Sequence, residues 1–341
     1  MLMRRIDPAS GAIIMANGIF LYGGIQAFPY IDQYLGEVLA ILLFIAWTGI
    51  YLRLTVQFFQ KDFLLPFLNN PIQSFTIGTW IAGVSVLCNV LLKYFPETLL
   101  FLQVMSIINI ALWAIFLVTM IKSFKTLLKE KNSSIHGVIL LSTVGTQSIV
   151  ILLENLFTWV PEIIFESLVL LGVLFYIVGV FLLARRYLTT KWTLIDDWKN
   201  TNCIIHGALS ITGLAMVTGG LMTTGFMIWF WMSVFVLLVI VEVIEIIRAY
   251  KRIKKLGFIK GVWTYHISQW SRNFTFGMFF AFTLAMNLNS VYNFPEYFIH
   301  FQLILLPLWA KVVLLTLILE IWLSFYSITT SRKNVDLLDL S

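Results

Sequence analysis

Long apolar runs separated by short polar stretches follow one another along the whole chain. They predict helices over residues 8–28, 34–53, 74–92, 98–121, 136–158, 163–184, 202–222, 226–247, 262–286 and 297–326. Each is close to the ~20 residues that a helix needs to cross a bilayer. Residues 200–241 carry no charged side chain, are too long for one crossing and break at Thr223-Thr224-Gly225, so they read as two spans.

The spans alternate in kind. Odd-numbered ones are rich in small and hydroxyl residues: Gly11, Ala12, Ala16, Asn17 and Gly18 in the first; Gly78, Thr79, Gly83 and Ser85 in the third. Ser142, Thr143, Gly145, Thr146, Gln147 and Ser148 stand in the fifth, Gly207, Ser210, Thr212 and Gly213 in the seventh, Thr275, Gly277 and Thr283 in the ninth. Even-numbered ones are mostly Leu, Ile, Val, Phe and Trp. Small residues let helices approach closely in lipid, where hydrophobicity gives no drive to associate. The glycines at 18, 78, 83, 145, 207, 213 and 277 are the expected points of approach. Hydroxyls and amides in a spanning segment need partners or water. Two arrangements follow: a polar passage lined by Asn17, Thr79, Thr143, Thr146, Gln147, Ser148 and Ser210, or an inner ring that is only tightly packed.

A repeat underlies the alternation. Pro29, Pro96, Pro161 and Pro295 are spaced by 67, 65 and 134 residues, each just before an even span. Proline suits a first helical turn, where its missing N–H would be unpaired anyway. The position expected near residue 228 lacks the signal. Ile135-His136-Gly137 and Ile205-His206-Gly207 echo each other at the openings of spans five and seven, where histidines would meet headgroups or water. The unit is a helical hairpin of about 66 residues used five times in parallel order, an architecture of stacked copies.

Composition agrees: 60% of the 341 residues are hydrophobic and 12% charged, against about one quarter charged in soluble domains. One all-α integral membrane domain, residues 1–341, uses the chain. Of 23 basic residues, 20 (Arg4 and Lys131 among them) fall on one side, Lys93 on the other, and Arg272 and Lys311 within spans. Lys and Arg resist translocation, so ten spans with both termini cytoplasmic are expected in a cell membrane. The net charge of +6 then reflects basic residues beside anionic lipid, with no nucleic-acid partner implied. Two cysteines, Cys88 and Cys203, placed toward opposite faces, give no disulfide framework. Four histidines without paired spacing give no metal or haem site, no phosphate-binding loop occurs, and no cofactor is expected. No cleavable leader is expected either.

Arg272 falls about ten residues into the ninth span, roughly 15 Å deep at 1.5 Å per residue. The acids, Glu154 and Glu166 at one interface and Glu242, Glu245 and Glu320 at the other, are expected at other depths. Arg272 therefore reads as a cation facing a hydrated lumen and favouring anions, with a buried ion pair as the alternative. Residues four apart share a helix face, so Phe276 would follow Arg272 toward the lumen as a gate while Phe274 points nearly opposite. Ordinary packing is the other reading of both rings. Lys311, on an even span, reads as a structural pair or an oligomer contact.

Taken together, Gly11–Gly18, Asn70-Pro71 leading into Ser74-Phe75-Thr76-Ile77-Gly78-Thr79, Thr143 through Ser148, His206 through Thr212, and Trp270 through Met278 resemble the tellurite-resistance/dicarboxylate transporters and slow-type anion channels. The resemblance covers essentially the whole chain, through the order and spacing of these segments. It implies ten transmembrane helices as five hairpins around a central pore, odd helices inside and even ones outside, commonly in a homotrimer. It also implies occlusion by a phenylalanine of the ninth span, matching Phe276 in Phe-Thr-Phe-Gly, with Phe274 the second choice. Such proteins carry chloride, nitrate, sulfite, tellurite-related oxyanions or malate-like dicarboxylates. Arg272 departs from the family, where an uncharged residue is usual, and the lack of long termini suggests a bacterial-type member. The expected function is passage of small anions, as a channel or a proton-coupled carrier. A membrane-embedded enzyme would need acid, base or nucleophile at one depth, which the scattered acids do not supply; a non-conducting sensor belongs to the same rival class.

Overall fold

The computed structural model describes residues 5–130 and 134–338; Arg4, Lys131 and the chain ends lie outside the described residues. Eleven α-helices and no strand occur among them: α1 Gly11–Tyr22, α2 Pro29–Phe58, α3 Lys61–Asn69, α4 Ile77–Tyr94, α5 Leu99–Lys129, α6 Leu141–Leu156, α7 Glu162–Thr189, α8 Ile204–Thr218, α9 Thr224–Val262, α10 Trp270–Leu288 and α11 Glu296–Leu338. Eight are long and apolar enough to cross a membrane, some with the turn that precedes them. With the composition, this makes the chain a helical membrane protein. The exceptions are α1, apolar but short, the nine-residue α3, and α10, whose first two turns carry Ser271, Arg272 and Asn273.

Helices α1, α4, α6, α8 and α10 each pack against two others of the set in a cycle that closes from α10 back to α1. The close approaches run in register: Gly11 meets Thr79 and Gly18 meets Val86, while Gly207 meets Thr275 and Gly213 meets Phe282. The neighbours in these pairs are therefore parallel. Backbone contact explains the small residues. A Cβ on Gly78 would stand 2.6 Å from the Leu141 carbonyl oxygen, and one on Gly277 would stand 2.6 Å from Ile19. The inner segments of α4, α6 and α8 are 83–94% buried, whereas α2, α5, α7, α9 and α11 are only 17–33% buried. These outer helices expose apolar side chains such as Ile45, Ile108, Ile177, Ile240 and Ile304.

The repeat is visible at both ends of the inner helices. Each is preceded by a 3-10 turn: Pro8–Ser10, Gln73–Thr76, Gly137–Leu140, Asn200–Cys203 and Ile267–Gln269. On the opposite side, Pro29 begins α2, Pro96 opens the turn before α5, Pro161 caps α7 and Pro295 precedes α11. The missing fifth signal is supplied by Thr223, whose Oγ1 accepts from the Phe226 amide at 3.4 Å to cap α9. A hydroxyl cap and an N-terminal proline are alternative ways of opening a helix.

Three features differ from the pattern-based expectation. Outer helices run past the predicted spans because α5, α7 and α9 continue through their terminal Lys and Arg residues; Arg185 donates to the Leu128 carbonyl of α5 at 2.9 Å, and Arg186 and Arg248 are buried. Helix α3 was hidden by Lys61, Asp62 and Pro66; it docks through Phe67, whose ring lies 6.0 Å from Trp80 and 8° from parallel. The ninth span was placed too early. Helix α9 continues to Val262 through a bend at Gly257, whose φ of 78° is unfavourable for residues with a side chain, and α10 begins only at Trp270.

Candidate functional site: an axial constriction and a basic cleft

All five inner helices contribute to one narrow space on their common axis. It is lined by Ile19 and Tyr22 of α1, Ser85, Val86 and Asn89 of α4, Ser148 and Ile151 of α6, Ile211 and Leu214 of α8, and Met278 of α10. Its volume is about 10 Å³, room for about one water. The axis is thus closed here by apolar side chains, with Ser85, Asn89, Ser148 and Tyr22 as its polar groups.

Three of the seven expected lining residues turn toward outer helices. Thr143 donates to the Gly172 carbonyl at 3.1 Å and Gln147 to the Val169 carbonyl at 3.1 Å, both toward α7. Thr146 donates to the Ser142 carbonyl at 2.8 Å and accepts from Trp113 Nε1 of α5 at 3.2 Å. Asn17, Thr79 and Ser210 bond to carbonyls within their own helices or the turn before, at 2.8, 2.7 and 2.9 Å. Of the expected set only Ser148 borders the axial space. Buried polar groups need partners, and main-chain carbonyls supply them where water was anticipated. The glycines at 18, 78, 83, 145, 207, 213 and 277 lie against neighbouring side chains or backbone. Asn89 was overlooked; it follows Ser85 by one turn, a spacing that puts two polar groups on one face.

Phe276 does not line the axis. Its ring lies 5.0 Å from Trp309 of α11 and 6.4 Å from His206 of α8, and its carbonyl accepts from Trp309 Nε1 at 3.0 Å. The aromatic α11 neighbour holds it on the flank of α10. Met278 occupies the lining position, and Phe274, 1% exposed, precedes it by four residues on the same helix face.

Arg272 is corrected in depth and in pairing. It stands in the first turn of α10, with Nη2 2.8 Å from Glu245 Oε2 and Nε 3.4 Å from Glu242 Oε2. The late start of α10 brings it level with these α9 carboxylates. Glu245 also accepts from Trp198 Nε1 at 2.7 Å and lies 3.4 Å from Arg248. His206 is corrected as well: the turn Asn200–Cys203 sets it inside the bundle, fully buried, with Nε2 3.9 Å from Glu242 Oε1. The residue that resembles His136 in position is His266. Each caps a 3-10 turn, accepting from Val138 N at 3.4 Å and Ser268 N at 3.2 Å respectively. Lys311 is exposed on α11, without an ion pair among the described residues; Glu242 is engaged by Arg272 instead.

Beside this cluster a cleft of about 700 Å³ opens at the N-terminal ends of α8 and α10. Lys199, Arg248, Arg252 and Arg272 border it with a single carboxylate, Glu245, together with His136 and His266. Helix N-termini add positive potential. A second opening of about 400 Å³ shares His136 and Lys199 and adds Arg186 and Asp197. At the other end Lys93 is neutralised, with Nζ 3.0 Å from Asp32 Oδ2.

No family model matches the chain, and no curated protein matches it.

Proposed function

We propose that the chain moves small anions across the cell membrane along the axis shared by its five inner helices. In this reading it crosses the bilayer ten times as five hairpins, inner helices around the pathway and outer helices against lipid, with the basic end and both termini in the cytoplasm. The observation that carries it is the alignment of three features: a closed cycle of small-residue helices, a cavity of about 10 Å³ on its axis, and a cationic cleft at their N-terminal ends. The cleft concentrates anions; the constriction, too narrow for a hydrated ion, is the gate.

The gate is assigned to Met278 and Phe274 of α10 with Ile211 and Leu214 of α8, and Phe276 is a packing residue. Hydrophobic constrictions close by excluding water. No cofactor takes part. A trimer, each subunit with its own pathway, follows from the resemblance to tellurite-resistance/dicarboxylate transporters and slow-type anion channels. Tracer flux in liposomes (chloride, nitrate, sulfite, tellurite, malate) tests the reading. Phe274→Ala and Met278→Ala should raise flux, and Phe276→Ala should not. No flux of any of these anions in wild type or opened variants would overturn it.

A further inference from the structure

Glu242 and Glu245 of α9 face Arg248 of α9 and Arg272 of α10 at the cleft, with Glu320 of α11 and Arg252 of α9 close by. Carboxylates and guanidiniums are equal in number there, and what is left unsatisfied is hydrogen bonding.

Both ring nitrogens of His206 and Oε1 of Glu242 are buried without a hydrogen-bond partner. They face each other across 3.9 Å, beyond direct hydrogen-bond length and short enough to close by a small side-chain shift. A donor and an acceptor left unpaired in this way are destabilising, and a proton shared across the gap satisfies both. Glu320 Oε1 is buried without a partner as well, but only Glu242 has a histidine opposite it.

The surroundings contain no better acceptor facing His206. The preceding turn brings Cys203, and α7 brings Tyr176, whose hydroxyl donates to the Ile205 carbonyl at 3.1 Å. On α6 the one titratable residue, Glu154, is at the far end and accepts from Thr218. Helix α10 supplies Arg272, already cationic. Arg272, the ion-pair partner of Glu242, borders the cleft, and the Glu242 side chain is 19% exposed.

We propose that His206 and Glu242 form a binding site for a single proton, and that its occupancy controls anion passage. Coupling is short. The His206 ring packs on Phe276, two residues before Met278, and His206 lies five residues before Ile211. Charging the pair therefore acts on both helices that carry the constriction. The control of passage rests on the transport reading above; the proton site does not.

Infrared difference spectra of the purified full-length protein between neutral and acidic pH test the site directly. Wild type should show a protonated-carboxyl band that Glu242→Gln abolishes and that His206→Gln, which keeps every carboxylate, shifts along the pH axis. In liposomes, wild-type flux should change by up to about tenfold per pH unit where the site titrates, and Glu242→Gln should flatten that response. A band unchanged in both variants overturns the site. A flux response that persists in folded Glu242→Gln overturns the coupling. A titrating Glu242 band in a protein that passes no anion keeps the proton site and removes the transport reading.

Discussion

Gln147 of α6 donates to the Val169 carbonyl of α7 at 3.1 Å, and its amide fills the notch left by Gly172 on that helix. An amide that reads as pore lining in the sequence is thus a fastener between an inner and an outer helix. A methyl group on Gly172 would overlap it. Gly172→Ala should lower stability by about 1–3 kcal/mol, read as a drop in melting temperature in detergent. Adding Gln147→Ala should recover part of the loss, since it clears the overlapping atoms. Additive losses would show that the two residues do not share this contact.

Arg272 is held by two carboxylates, so its removal leaves buried negative charge. Arg272→Gln should cost about 3–5 kcal/mol, the usual penalty for breaking a buried pair from one side. The double variant Arg272→Gln/Glu242→Gln should be more stable than the single one. Equal melting temperatures for the two would place the arginine outside the cluster.

Phe276 is wedged between His206 and Trp309. Truncation to Ala should cost about 3–5 kcal/mol, as for other buried aromatic rings, and leave flux through the folded fraction unraised. A stable variant with raised flux would return this ring to the pathway.

His136 caps the turn before α6 through an unprotonated Nδ1. Burial, with Arg186 and Lys199 nearby, lowers its pKa from 6.5 to about 4. The unfolded chain then takes up a proton below pH 6.5 that the fold refuses until about pH 4, so stability is retained above 6.5 and falls as pH drops through this window. Asp197, also lowered, chiefly by the Thr193 amide, adds loss at more acidic pH. Thermal melts from pH 7 to 4 should show the decline, and His136→Asn, which retains a capping oxygen, should flatten its upper part. An identical slope in the variant would count against the assignment.

The sequence carries the helical framework because apolar run length and proline placement are local signals. Pro29, Pro96 and Pro161 open outer helices or the turns before them, and the glycine-rich runs become the buried helices. Side-chain direction was less legible. Thr143 and Gln147, one turn apart, share the face toward α7 while Thr146 turns to α5, and only the packed neighbours Gly172, Val169 and Trp113 decide what each meets. Helix ends misled more than helix identities. Placing the ninth span eight residues early put Arg272 at mid-depth and hid its partners Glu242 and Glu245. The His136–His206 echo was similarly deceptive, because Asn200–Cys203 adds a turn that buries the second histidine; His266, two periods of 65 beyond His136, is the structural counterpart.

The in-register approaches between the buried helices have a consequence for the field along their axis. Rods that all point one way gather their amide ends at a single mouth, while the opposed dipoles of the outer helices stand farther from the centre. If the axis passes anions as proposed, inward and outward currents at equal and opposite voltages should therefore differ in size.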